Sequence, residues 1–186
     1  MFTGLLKKIA QALDNEGIPY MVIGGQAVLV YGEPRLTRDI DITLGASLER
    51  LPEMVSLTMD IGLDVLVDPA EFTTRTLVLP CRDRETGIRV DFMFSWSAYE
   101  KHALGRSRSI DLAGGSVKFA SVEDVIIHKV IAGRPRDLED VRLLLIKNPG
   151  FDRQYIKDWL KNFDEAMGES FEQRFQQIWQ ENQKEH

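Results

Sequence analysis

The 186-residue chain has one cysteine, three histidines and no surplus of basic residues, and each scarcity closes off a class of protein. A single Cys81 excludes an internal disulfide and any cysteine-built metal cluster. Because Cys81 alternates with Leu77 and Leu79, it reads as a small core residue rather than a nucleophile. No apolar run is long enough for a helix to cross a bilayer, and the opening Met1 to Lys8 lacks the order of a signal peptide, so no membrane role and a cytoplasmic location are expected. With 23 Lys+Arg against 29 Asp+Glu, the net charge is −6, which argues against coating DNA or other long nucleic acid through its phosphates. Repeats and low-complexity segments are missing too. What remains is ordinary globular composition, 44% hydrophobic and 28% charged, in a chain long enough to bury a proper core.

Against that plain background one stretch stands out. Met21, Val22 and Ile23 are strand formers that run into Gly24-Gly25, where the backbone is free to approach a ligand. The N–H groups that open the following helix, Gln26 to Val30, have no intrahelical partner and form a ready anion site. Thirteen residues separate Gly25 from the run Asp39-Ile40-Asp41-Ile42. On a strand, residues at i and i+2 share a face, so Asp39 and Asp41 project together while Ile40 and Ile42 anchor the other side. Two carboxylates about 6–7 Å apart along a strand suit a pair of Mg²⁺ ions bridging a polyphosphate. A third acid, Asp91, lies in Val90-Asp91-Phe92. There, alternation puts Ile88, Val90, Phe92 and Phe94 on one face and Arg89, Asp91 and Met93 on the other. A glycine pair or an Asp-x-Asp alone is weak, but acids at alternate strand positions repel one another unless something binds them.

The combination resembles the signature of the DNA polymerase β-type nucleotidyltransferase superfamily: a hydrophobic residue, Gly-Gly, a gap of this length, Asp-hydrophobic-Asp-hydrophobic, and a later carboxylate between apolar residues. Arg35-Leu36-Thr37-Arg38 is similar to the Arg-x-Thr-x-Asp lead-in of many members. The resemblance implies an α+β nucleotidyltransferase fold, a mixed sheet flanked by helices, followed by a C-terminal helical region. It implies transfer of a nucleoside monophosphate from a nucleoside triphosphate to an acceptor hydroxyl. Asp39, Asp41 and Asp91 would be the catalytic residues and the ligands of two Mg²⁺ ions. Gly24 and Gly25 would receive the triphosphate co-substrate, with Arg35, Thr37 and Lys129 neutralising it.

The scaffold reads as follows. A helix over Leu5, Leu6, Ile9, Ala12 and Leu13 stops at Gly17, strands cover Tyr20 to Ile23 and Asp39 to Leu44, and Ser47 is expected to cap a helix from Leu48 to Asp60. A short strand near Leu63 to Val67 and an irregular or helical stretch at Pro69 to Arg75 follow. A hairpin of Leu77 to Arg82 with Ile88 to Phe94, a helix from Trp96 to Gly105, and a second hairpin around Gly114-Gly115 complete a core spanning residues 1–120. From Ser121, itself a helix cap, the pattern is helical to the end, and residues 121–186 are expected to form a helical region packed on the core.

In that region, Lys129 to Asp140 resembles the Lys-x-x-Ala-x-Arg-x-x-Asp-x-x-Asp block of small bacterial nucleotidyltransferases, including abortive-infection and toxin–antitoxin toxins. There the lysine and aspartates border the nucleotide, which points to Lys129 and Asp137, with Arg134 and Asp140 beside them. Lys129 lies among apolar residues, where an ammonium needs a partner such as a phosphate or Asp137. RNA, and a tRNA end in particular, is the preferred acceptor, with a small molecule of the aminoglycoside type as the alternative. An antitoxin protein is an expected partner if the toxin resemblance holds. A non-catalytic nucleotide-binding module ranks lower, since it has no use for three mutually repelling acids.

Overall fold

The computed structural model describes residues 2–33, 37–95, 97–112 and 114–184. They form two compact units, residues 1–26 with 36–120, and residues 27–35 with 121–186.

The first unit is built on a seven-stranded mixed sheet. In chain order it contains α1 (Phe2–Asn15), β1 (Tyr20–Ile23), the start of α2 (Gly24–Tyr31), β2 (Asp39–Leu44), α3 (Leu51–Asp60), β3 (Leu63–Val65) and α4 (Pro69–Thr76). These are followed by β4 (Val78–Asp83), β5 (Arg89–Phe94), α5 (Ala98–Gly105), β6 (Arg108–Asp111) and β7 (Ser116–Phe119). The strands lie in the order β3-β4-β5-β2-β1-β7-β6. The central trio is β5-β2-β1: β2 runs antiparallel to β1 and parallel to β5.

Alternation decides which face is core. Ile40, Ile42 and Leu44 of β2 and Val90, Phe92 and Phe94 of β5 are all buried, as are Leu79 and Cys81 of β4. Leu5, Leu6, Ile9 and Leu13 of α1 and Met54 and Leu57 of α3 are buried as well, each at the helical spacing of an apolar stripe. Burial pushes the Cys81 thiol up to about 12, so it stays protonated and unreactive.

One local expectation fails, and one left between two forms is decided. Ser47 has extended backbone but makes no side-chain cap, and the segment behind it starts as a short 3₁₀ turn, Leu48–Arg50. Pro52, at the first turn of the α-helix proper, supplies the start instead, because its missing N–H would have had no partner there. The stretch after Pro69 is fully helical, because Asp68 accepts the Glu71 N–H as N-cap.

The second unit holds the remainder of α2 and four helices: α6 (Val122–Ala132), α7 (Pro135–Lys147), α8 (Arg153–Met167) and α9 (Phe171–Lys184). Ser121 caps α6 by accepting the Asp124 N–H, and Gly133 closes it in the left-handed region at φ +64°. Asp164 of α8 accepts the N–H groups of Phe171 and Glu172, which fixes the turn into α9. Phe171, Phe175 and Ile178 of α9 and Ile156 and Leu160 of α8 are buried, so their aromatic spacing serves packing. No helix among the described residues is long and apolar enough to cross a membrane.

Candidate active site

The two halves of the glycine–aspartate motif meet at the end of β1. Helix α2 begins at Gly24 itself, two residues earlier than the sequence suggests, so both glycines belong to the unsatisfied first turn. Gly24 has φ +63°, and a Cβ built on it would run into the Asp41 carboxylate, 3.0 Å from its Cγ and closer to Oδ2. Glycine is needed there for backbone conformation and to leave room for an acid. Gln26, buried in the same turn, donates from Nε2 to the Thr37 hydroxyl at 2.7 Å and toward the Asp39 carbonyl at 3.5 Å. This amide ties the helix start to the approach of β2. Nothing in the spacing of apolar residues announces it.

The sheet register aligns the acids. Asp41 of β2 stands opposite Asp91 of β5, and Asp39 stands opposite Arg89. Register partners in a parallel pair project from the same face. Asp39, Asp41, Asp91 and Arg89 therefore share one side of the central strands, with the buried Ile40, Ile42, Val90 and Phe92 on the other. Asp39 is exposed, whereas Asp41 and Asp91 are half-buried.

Arg89 is an addition that the motif did not foretell. Its Nε–H is shared between the two oxygens of Asp91, at 2.9 and 3.1 Å. Asp91 first, then the charges of Asp39 and Asp41, holds the guanidinium above its ordinary value. A signal was available, because residue i−2 on a strand always shares the face of residue i. Among the described residues no three His, Cys, Asp or Glu side chains are gathered tightly enough to hold a metal ion. The donor set is nonetheless of the right kind: three hard carboxylates on one face, with space kept by Gly24, suit a divalent cation such as Mg²⁺.

Of the other expected residues, Arg35 lies outside the described ones. Lys129 and Asp137 are in the second unit and meet each other. Lys129 Nζ lies 2.7 Å from Asp137 Oδ1 and 3.0 Å from Asp140 Oδ2, with all three side chains at most 8% exposed. Arg134 adds a pair to Asp137 at 2.5 Å. Burial would raise the Asp137 carboxyl, but Arg134 and Lys129 outweigh it and hold it below the ordinary carboxylate range. The nearby buried acids have partners too: Asp124 accepts from Ser121 and Tyr155, and Glu123 accepts the Asp152 N–H.

A mixed sheet carrying a glycine-led helix start against paired aspartates, with a third acid on the next strand, defines a nucleotidyltransferase-type fold. Residues 3–177 match the family described as "Nucleotidyl transferase of unknown function (DUF2204)", and the chain belongs to that family. No curated protein matches the sequence. Solved structures share the fold at low identity. The antibiotic-resistance factor ANT(2'')-Ia is 19% identical, with a TM-score of 0.64 over 89% of this chain and 92% of that one. The same protein in complex with adenylyl-2''-tobramycin gives 0.61 at 18% identity over 95% and 98%. The lincosamide antibiotic adenylyltransferase LnuA, lincomycin-bound, gives 0.52 at 16% identity over 73% and 91%. An antigenic nucleotidyltransferase-like protein from Paracoccidioides brasiliensis gives 0.59 at 17% over 89% and 88%.

Proposed function

We propose that this protein transfers a nucleoside monophosphate from a nucleoside triphosphate to a hydroxyl of a small-molecule acceptor, releasing pyrophosphate. The observation that carries the reading is the in-register placement of Asp41 beside Asp91 on one sheet face, with Asp39 next along β2 and the α2 start abutting Asp41.

The first N–H groups of α2, from Gly24 and Gly25 onward, receive the triphosphate oxygens. Thr37 Oγ1 accepts from Gln26, which leaves its own proton to donate to a phosphate oxygen. The acceptor oxygen attacks the α-phosphorus, the bond from that phosphorus to the bridging oxygen breaks, and pyrophosphate departs. Asp91 takes the hydroxyl proton in this reading. Asp39, Asp41 and Asp91 would hold Mg²⁺, which when bound neutralises the polyphosphate and acidifies the attacking hydroxyl. Lys129 is buried and already shared by Asp137 and Asp140, so its part in this reading is to hold α6 to α7 rather than to meet a phosphate.

Three observations favour a small molecule over the RNA or tRNA end preferred from sequence. Arg84 is paired with Asp64 at 2.7 Å, which takes one arginine of the proposed phosphate-tracking hairpin into a local pair. The face beside the motif is acidic, which suits a cationic acceptor better than a polyanion. Proteins of similar fold are found in complex with adenylyl-2''-tobramycin and bound to lincomycin. The antitoxin partner has no support of its own in this arrangement.

The test is incubation with labelled nucleoside triphosphates and Mg²⁺ against a panel of hydroxylated small molecules and total RNA. Label in a small molecule, lost in Asp39→Ala, is expected. Mg²⁺ with the correct triphosphate should also raise Tm in the wild type and not in that variant. Label in RNA alone would overturn the acceptor assignment. No label and no Tm shift with any of the four triphosphates would overturn the activity itself.

A further inference from the structure

Arg89 occupies both oxygens that Asp91 would offer a cation, and it does so from the same sheet face as all three acids. We propose that Arg89 is a displaceable counter-ion: it holds Asp91 in the cation-free protein and releases it when a divalent metal arrives with the triphosphate. The inference rests on the proposed activity and adds an order of events to it.

The charge count on this face explains why a counter-ion is present. Three carboxylates and one guanidinium leave two negative charges, so Arg89 relieves the repulsion among the acids without cancelling it. Such a face still attracts a dication. The metal, however, requires oxygens at about 2.0–2.1 Å, and those of Asp91 are shared with the Arg89 Nε–H. A metal held by both oxygens competes with the shared N–H for the same bite of the carboxylate, so chelation there displaces one of the two cations.

The exposures say which. Asp91 is 18% exposed and fixed within a central strand, whereas the Arg89 side chain is 53% exposed and carries its charge on a flexible stem. The guanidinium therefore leaves toward solvent with the strand unmoved. Metal alone gives Arg89 no new partner in exchange. Metal with a triphosphate does, because the freed guanidinium lies on the face where the phosphates arrive, and its planar fork suits them. Each ligand then improves the binding of the other, which is a coupling between two sites through one side chain.

A cation that merely stood near the acids would lower metal affinity by the same factor whether or not Asp91 were present, and this separates the two readings. The experiment is calorimetric titration of Mn²⁺ alone into the wild type, Arg89→Gln, Asp91→Asn and the double variant, each checked for native circular dichroism. Arg89→Gln is expected to bind Mn²⁺ about tenfold more tightly than the wild type, through loss of a nearby like charge and of a competing pair. In the Asp91→Asn background the same change should give a clearly smaller gain, because only the like-charge part acting through Asp39 and Asp41 remains, and with a triphosphate present the advantage should shrink. Should Arg89→Gln not fold, Arg89→Lys, which keeps the charge but loses the shared Nε–H, should shift affinity in the same direction by a smaller factor. Equal affinities in wild type and Arg89 variants, with label transfer intact, would overturn the counter-ion role alone. No saturable Mn²⁺ binding in any protein, together with no label transfer, would overturn this inference and the proposed activity together.

Discussion

Two aspartates in this protein are each held by a cation, in opposite surroundings. Asp91 of β5 is half-buried, 18% exposed, on the acid side of the sheet, with Arg89 over half exposed beside it. Asp137 of α7 is 3% exposed, gripped by a buried Lys129 that also serves Asp140, and closed off by Arg134. A buried charge is tolerated only when its hydrogen bonds and counter-charges are complete, and such a cluster does not give up a member cheaply. An exposed pair in high dielectric is worth little and exchanges readily. Spacing along the sequence made both aspartates equal candidates for ligand chemistry. Desolvation separates them: Asp137 lies in a closed, buried set that spans α6 and α7, and Asp91 in a pair whose cation is open to solvent.

The sharpest way to break that comparison is to remove the shared cation of the buried set. Lys129→Ala leaves Asp137 and Asp140 buried side by side without their shared ammonium, and should destabilise the protein by about 3–5 kcal/mol in urea unfolding. A loss below about 1 kcal/mol would mean that the cluster does not hold α6 to α7. Acid titration reads the same cluster with the sign fixed in advance. The folded Asp137 carboxyl titrates below its unfolded value of roughly 3.9, so its contribution is complete above that pH and lost as pH falls through the lower folded value. Wild-type stability should therefore drop steeply in that acidic window, and Asp137→Asn should flatten the drop.

Next in size is Gly24→Ala, which tests whether the helix start and Asp41 share one space. The substitution forces a left-handed φ on alanine and drives its Cβ into the Asp41 carboxylate. A cost of about 1–3 kcal/mol is expected, with loss of label transfer because Asp41 is pushed aside. Wild-type stability and turnover in this variant would show that the glycine is a mere turn residue.

Much of this was legible beforehand, for reasons tied to particular residues. The β1 and β2 limits follow from β-forming runs bounded by glycines, and the Asp39, Asp41 and Asp91 face follows from a period of two, which needs no tertiary information. The α6 limits follow from a serine cap and a closing Gly133. What stayed hidden depends on contacts between segments far apart in the chain or on competition within them. Ser47 looked like a cap, but Pro52 set the helix start. Gln26 is a bland residue until the fold carries Thr37 to within 2.7 Å of it. Lys129 showed its need for a counter-charge, yet only the packing of α6 on α7 reveals that two carboxylates meet it.

The smallest expected effect sharpens the comparison most. Asp91→Asn removes the exposed pair with Arg89, worth about 0–1 kcal/mol, and at the same time removes one of three like charges on the face. These terms oppose each other, so unfolding in urea should shift by no more than about 0.5 kcal/mol in either direction, even though turnover is lost. Salt decides between the terms. If relief of repulsion among the acids dominates, the variant is slightly more stable than the wild type at low ionic strength, and the difference fades as screening sets in. If loss of the Arg89 pair dominates, the sign is reversed and fades in the same way. A salt-independent loss of about 2 kcal/mol or more would place Asp91 with Asp137, as part of the protein's internal fastening, and would remove the basis for treating its carboxylate as exchangeable.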